Sequence, residues 1–268
     1  MCGALAAATA ILVAGCGGLS SAAGTFTPAH KGTLTVVTQP LPTSGFWLGS
    51  GDSPTGGMEY EMAKDLADHF GHKLAIRTET FSRIVGGHLD GADLALSLIT
   101  PTSQREQVLD FSTPYIESSP ALVVRSGTDV PDVKTAQGLR WTVGAHTTFQ
   151  SIVDDVIQPD RPPLLIEDRN DELVAVSSGK ADVAMFDLPA AEAIANADPH
   201  LEVAAQLDET EPIAAALPKG SSNVDAVSSE LRAMQADGTI DDLARQWLGI
   251  SIQDMTNNVP LLRTSASS

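Results

Sequence analysis

Two charged side chains stand where their chemistry could matter. Arg105 lies in Thr100-Pro-Thr-Ser-Gln-Arg105, one cation among small hydroxyl and amide residues. A guanidinium presents a planar fork of donors that matches a carboxylate bidentately, and such charge-assisted bonds are about twice as strong as neutral ones. Asp187 closes the apolar run Val183-Ala-Met-Phe-Asp187 and offers the complementary charge, an acceptor for an ammonium. Each has a local alternative. Arg105 could be a surface arginine paired with Glu106 or Asp110; Asp187 could cap the helix after it, with Pro189 in the first turn.

Other chemistries find less support. The six histidines (His30, His69, His72, His88, His146, His200) are scattered, and His69 and His72 fall at the end of a helix, so no metal is expected. The chain has no Gly-x-Ser-x-Gly elbow, no Gly-Lys-Ser/Thr ending and no Gly-x-Gly-x-x-Gly before a helix, so neither serine hydrolysis nor a phosphate cradle is expected, and no cofactor. Sixteen Lys and Arg stand against 34 Asp and Glu, a net charge of −18. With no basic run, the phosphate backbone of nucleic acid finds no partner here.

The elements that must position Arg105 and Asp187 can be read from periodicity. The 268 residues, 43% hydrophobic, suffice for one or two domains. From residue 33 onward, short apolar strands alternate with amphipathic helices, the pattern of an α/β protein. Strands are expected at 33–38, 73–78, 93–99, 141–145, 163–167 and 182–186. Helices are expected at 58–70, 149–157, 171–178, 189–196, 222–236 and 239–248. In the first, Met58, Met62, Leu66 and Phe70 share a face, with Gly71 placed to end it. Thr239 with Asp242 three residues later reads as a capping box.

The N-terminus is distinct. Residues 4–14 (ALAAATAILVA) form an apolar run too short to span a bilayer, the core of a signal peptide over 1–15. It ends in Leu12-Val-Ala-Gly-Cys16, which resembles the bacterial lipobox, whose cysteine is acylated and becomes the mature N-terminus. The only other cysteine is Cys2, so the mature chain has no disulfide. Residues 16–32, rich in Gly, Ser, Thr and Ala, read as a flexible tether from lipid to folded body.

Four blocks, in order, carry a wider resemblance. Met58-Glu-Tyr-Glu-Met-Ala-Lys-Asp-Leu-Ala is similar to a Gly-Phe-Asp-Val-Asp-Leu-Ala helix. Residues 93–115 run strand, Thr-x-Thr-x-x-Arg and Asp-Phe-Ser-x-Pro-Tyr. Gly179-Lys-Ala-Asp-Val-Ala-Met-Phe-Asp187 resembles a Gly-x-x-Asp-Ala-x-x-x-Asp block, and Asp237-Gly-Thr-Ile-Asp-Asp-Leu-Ala-Arg-Gln-Trp247 a C-terminal helix. Over residues 33–250 the chain thereby resembles the extracytoplasmic solute-binding proteins of amino-acid ABC importers, family 3, in lipoprotein form.

The resemblance implies a two-lobed, type II periplasmic-binding-protein-like α/β fold with two crossover strands, near 118–124 and 210–216. Lobe 1 would comprise 33–118 and 212–250, lobe 2 residues 119–211, and 251–268 a tail. The lobes would close on an amino-acid-like solute, for a permease in the membrane to recognise. Arg105 would hold the α-carboxylate, with Thr100 and, at the strand's end, Ser97. Thr147 and Thr148 would help from lobe 2, with His146 where the family carries glycine. Aromatic positions Phe46, Trp47 and Phe81 would flank the ligand, Phe81 being equally placed for a core role. A second cation for an acidic ligand could be Arg83, Arg140 or Lys180, and a polar neutral amino acid is the default expectation.

A monomer outside the cytoplasm, held to the cell membrane by lipid at Cys16 and performing no catalysis, is the expected form. Two alternatives stay open, a solute-sensing receptor lipoprotein and a periplasmic dehydratase acting on a prephenate-like acid. Residues 251–268 are expected to leave no room for a fused lytic transglycosylase domain.

Overall fold

The computed structural model describes residues 25–252, 255 and 258–263. The expected signal peptide, Cys16 and the first part of the tether lie outside these. Within them, β-branched runs make strands and Met/Leu/Ala faces make helices, as the periodicity requires. The order is β1 (Thr33–Thr38), β2 (Leu48–Ser50), β3 (Ser53–Gly56), α1 (Met58–His69), β4 (Lys73–Thr78), α2 (Phe81–Val85), β5 (Leu94–Ile99), β6 (Leu109–Phe111) and β7 (Ile116–Ser118). Then follow β8 (Pro120–Arg125), α3 (Val133–Gly138), β9 (Trp141–Gly144), α4 (Thr148–Ile152), β10 (Leu164–Ile166), α5 (Arg169–Ser177), β11 (Val183–Asp187), α6 (Leu188–Ala197) and β12 (Leu201–Gln206). β13 (Glu211–Pro218), α7 (Val224–Ala236) and α8 (Thr239–Trp247) complete the order.

Two main sheets hold all of these strands except β2 and β3, which pair with each other. One runs β4-β1-β5-β13-β6, with β7 paired to β13; the other runs β10-β9-β11-β8-β12. β1 is parallel to β4 and β5, and β9 is parallel to β10 and β11. The chain crosses between sheets twice, from β7 into β8 and from β12 into β13. These crossing strands pair antiparallel through Glu211↔Ser118 and Ile213↔Ile116, so the two connections form one ribbon between the lobes.

Several elements differ from expectation for local reasons. Helix 149–157 is two pieces: α4 ends at Ile152, and Val153–Ile157 widens into a π-turn that stops at Gln158 with φ 55. The capping box at Thr239 is not made. Gly238, at φ 90, takes the position before the helix, and the Asp237 carboxylate accepts from the Thr239 amide at 2.9 Å. Of the expected tether, residues 26–29 are not free chain. Phe26 stacks on Phe70 with ring centroids 4.4 Å apart, and the Thr27 and Ala29 amides donate to Asn223 and Asp93, so this stretch is docked against lobe 1.

Residues 40–57 form a structured insert. Phe46 and Trp47 are fully buried, and the β2–β3 hairpin folds over the start of α1. Gly57 makes this possible: its φ of 117 is a glycine conformation, and a Cβ there would sit 2.3 Å from the Phe46 carbonyl oxygen. Trp47 Nε1 donates to Glu59 Oε2 at 2.6 Å, and the Leu98 amide donates to Glu59 Oε1 at 2.9 Å. Tyr115 donates its hydroxyl to the same Oε1. A carboxylate without exposed surface thus ties the insert, α1, β5 and the segment leading into β7. Burial pushes its pKa up to about 6, against the pull of these three donors.

Candidate functional site

In open α/β sheets, backbone groups and side chains just past the carboxyl ends of parallel strands face a common crevice. Both sheets obey this. Gln39 follows β1, Phe81 opens the helix after β4, and Leu98 and Thr100 lie at and just past the end of β5. Opposite them, Gly144 to Thr148 follow β9, Glu167 and Arg169 follow β10, and Asp187 ends β11. With Arg105 and Phe149, these residues, His146 excepted, line one cavity between the lobes.

Arg105 is 7% exposed. Nη1 donates to the Thr100 carbonyl at 2.7 Å, and Nη2 reaches across to the His146 carbonyl at 3.0 Å. The guanidinium carbon lies 5.4 Å from the centroid of the Phe81 ring, a cation–π contact. Burial lowers its pKa to about 10, with Glu211 and Asp187 opposing the shift, so it stays charged at neutral pH. The surface pairing with Glu106 or Asp110 is not formed; Asp110 accepts from Lys219 and the Gly220 amide instead.

Asp187 occupies the position before α6, yet its side chain makes no capping bond. The carboxyl is buried in the cavity wall. Oδ2 lies 3.4 Å from Arg169 Nη2, and Oδ1 has no hydrogen-bond partner among the described residues. Burial pushes its pKa up to about 6, with Arg169 opposing. An acceptor left without a partner inside a wall costs free energy unless a donor arrives from the cavity.

Thr147 Oγ1 turns back to the Gly144 carbonyl at 2.7 Å, and Thr148 Oγ1 donates to Glu211 Oε2 at the interlobe ribbon, 3.0 Å away. His146 fits where glycine was expected because it adopts φ 64 and turns its ring toward solvent, leaving its carbonyl for Arg105.

Three expected residues do not line the cavity. Phe46 and Trp47 are in the core for the reasons given above. Ser97 is fully buried, and its Oγ accepts from the Gln39 amide at 3.1 Å, so it fixes the segment after β1. The suggested second cations are also elsewhere: Arg83 pairs with Glu79 and Asp90, and Arg140 with Asp182, while Lys180 is not part of the lining.

Residues 36–250 match the bacterial extracellular solute-binding proteins, family 3. The chain belongs to that family. A relative from Ectopseudomonas mendocina, membrane-bound lytic murein transglycosylase F, is 28% identical over 92% of this chain and 52% of its own length. This chain thus spans about half the length of that relative. The L-cystine-binding protein TcyJ of Escherichia coli is 26% identical over 75% of this chain and 77% of its own. Among solved structures, an amino acid ABC transporter substrate-binding protein from Streptococcus pneumoniae, bound to L-arginine, superposes with a TM-score of 0.74. It is 25% identical, over 82% of this chain and 95% of that one. The two-lobed fold and the family therefore stand as expected.

The structure brings to the cavity wall residues that the sequence did not single out. Gln39 presents a buried Nε2 without a partner among the described residues. Arg169 opens α5 and stacks 4.8 Å over the Phe186 ring. The signal available was position: each lies just past the carboxyl end of a parallel strand.

Behind the wall, Glu172 of α5 is fully buried, and burial pushes its pKa up to about 8, with Arg169 and the Gly144 amide opposing. Its unfolded value is near 4.5. The unfolded chain therefore releases this proton first, and the stability Glu172 contributes is lost as pH rises from about 4.5 through about 8. Glu172→Gln should leave the melting temperature nearly unchanged at pH 5 and raise it relative to the parent by a few degrees at pH 8.5. Thermal melts across pH check this; parallel curves would show that Glu172 is ionised in the folded protein.

Proposed function

We propose that this chain captures an amino acid between its lobes and delivers it to the permease of an ABC importer, doing no chemistry on it. One observation carries the reading. Arg105 and Asp187 line the same cavity from opposite lobes, the first a charged fork, the second a buried carboxylate with a partnerless oxygen. An α-carboxylate on Arg105, with Thr100 beside it, and an α-ammonium on Asp187 would engage both, with the Phe81 ring alongside. Bonds to charged groups contribute about 1.5–3 kcal/mol each, so a few of them reach the roughly 8 kcal/mol of a micromolar complex after ordering costs. The relative named for L-cystine binding and the similar structure bound to L-arginine support the amino-acid class. Asp187 disfavours the dehydratase alternative, since an acid lacking an amine would leave that carboxylate unanswered.

Thermal shifts of the purified full-length chain against the twenty amino acids and prephenate test this, because a ligand that binds only the folded state raises the melting temperature. A shift with one amino acid or a small group is expected. Prephenate alone, or no amino acid at all, would refute the reading.

We further place the protein outside the cytoplasm, with lipid at Cys16 holding it to the membrane and residues 1–15 as its signal peptide. The support is the apolar run ending in Leu12-Val-Ala-Gly-Cys16. Cys16→Ser should move the protein from the membrane fraction to the soluble fraction; a variant that sediments like the parent would exclude the anchor.

A further inference from the structure

Arg169 occupies an unusual place. It is the first residue of α5, where the helix dipole disfavours a cation, and the Asp168 side chain caps the Asn170 amide just beside it at 2.8 Å. A local rule broken at a cavity wall points to use by a ligand. The side chain is held by stacking on Phe186 and is only 13% exposed.

Its one ion pair is poor. A charge-assisted N–H···O bond is typically about 2.7–2.9 Å and, for arginine with carboxylate, often bidentate. Here a single contact of 3.4 Å joins Nη2 to Asp187 Oδ2, while Oδ1 of the same carboxylate has no partner. Neither group satisfies the other, and both face the cavity. If Arg169 served only to neutralise Asp187, the fork would close on both oxygens.

The lining thus holds two guanidiniums, Arg105 and Arg169, and one buried carboxylate, Asp187. Glu167 also lines it but is mostly in solvent, beside His146. Glu211 lies behind Arg105 at the interlobe ribbon and is taken up by Thr148. Once Arg105 and Asp187 hold the α-carboxylate and α-ammonium, the donors of Arg169 remain for the ligand's side chain, with Gln39 Nε2 as a further unpartnered donor.

We infer that Arg169 selects an amino acid with an acidic side chain, binding its second carboxylate and rejecting lysine and arginine. This rests on the solute-binding reading above and narrows it. Isothermal titration of the full-length chain with L-glutamate, L-aspartate, L-glutamine and L-arginine tests it, on the parent, Arg169→Gln and Arg169→Lys. The parent should bind an acidic amino acid about tenfold or more tighter than glutamine, and arginine not measurably. Arg169→Gln should lose that preference while still binding glutamine, and Arg169→Lys should recover part of it.

Arginine binding as tight as glutamate, or Arg169→Gln weakening every ligand alike, would overturn the inference. So would Arg169→Gln binding neutral amino acids better with no loss for acidic ones, since Arg169 would then be a plug. In each of these cases amino acids still bind, and the solute-binding reading survives. Loss of all amino-acid binding in the parent would remove both.

Discussion

Arg105→Ala should abolish binding of any amino acid the protein takes, while the fold persists. The guanidinium spends its two terminal nitrogens on backbone carbonyls, Thr100 on one lobe and His146 on the other. A ligand carboxylate would replace or share these contacts with charge-assisted bonds. Two such bonds, at about 1.5–3 kcal/mol each, correspond to a loss of about two to four decades in Kd. The carbonyls left behind border the cavity and can turn to water, so the melting temperature should move little. Asp187→Asn gives the matching test on the opposite wall: ligands bearing an amine should weaken by about one to two decades, and analogues lacking it much less. Calorimetric titration of both variants checks this, and a ligand that binds both as tightly as the parent would remove the clamp.

Much of this arrangement was legible in the sequence for one reason. Apolar runs such as 33–38, 93–99 and 182–186 are short and sharply bounded, so their carboxyl ends are fixed to within a residue, and Thr100 and Asp187 stand just past those ends. Arg105 was legible by its block. Arg169 was not, because Glu167-Asp-Arg-Asn-Asp-Glu172 reads as a solvated helix start, and no one-dimensional pattern says which charge turns inward. Trp47 failed in the opposite sense. An aromatic in a Gly- and Ser-rich stretch suggests a binding loop, but its indole N–H finds Glu59, which tertiary packing alone brings near it. Glu59 itself lies in Met58-Glu-Tyr-Glu61, where Glu61 pairs with Lys64 at the surface and Glu59 is fully buried. Periodicity assigns a face to Met58 and Met62 but cannot see that the face includes a carboxylate.

That buried carboxylate should dominate stability. Glu59→Ala leaves Trp47 Nε1, the Leu98 amide and the Tyr115 hydroxyl without their acceptor in a core that excludes water. Each unpaired buried donor costs about 1–3 kcal/mol, and the cavity adds to this, so a loss on the order of 4 kcal/mol or more is expected. Glu59→Gln should fall between, since one oxygen still accepts while the new amide group opposes a donor. Chemical denaturation gives the difference directly. The effect should also reach the binding site. Leu98 lines the cavity and is held at φ 51, a strained backbone for leucine, by the bond from its amide to Glu59. Without that bond the turn toward Thr100 can relax, moving the carbonyl that orients Arg105. Glu59→Ala should therefore weaken the ligand several-fold under conditions where the protein remains folded, a change Arg105→Ala would mask entirely. A Glu59→Ala variant as stable as the parent would show that the three donors find other acceptors and that α1 does not set the site.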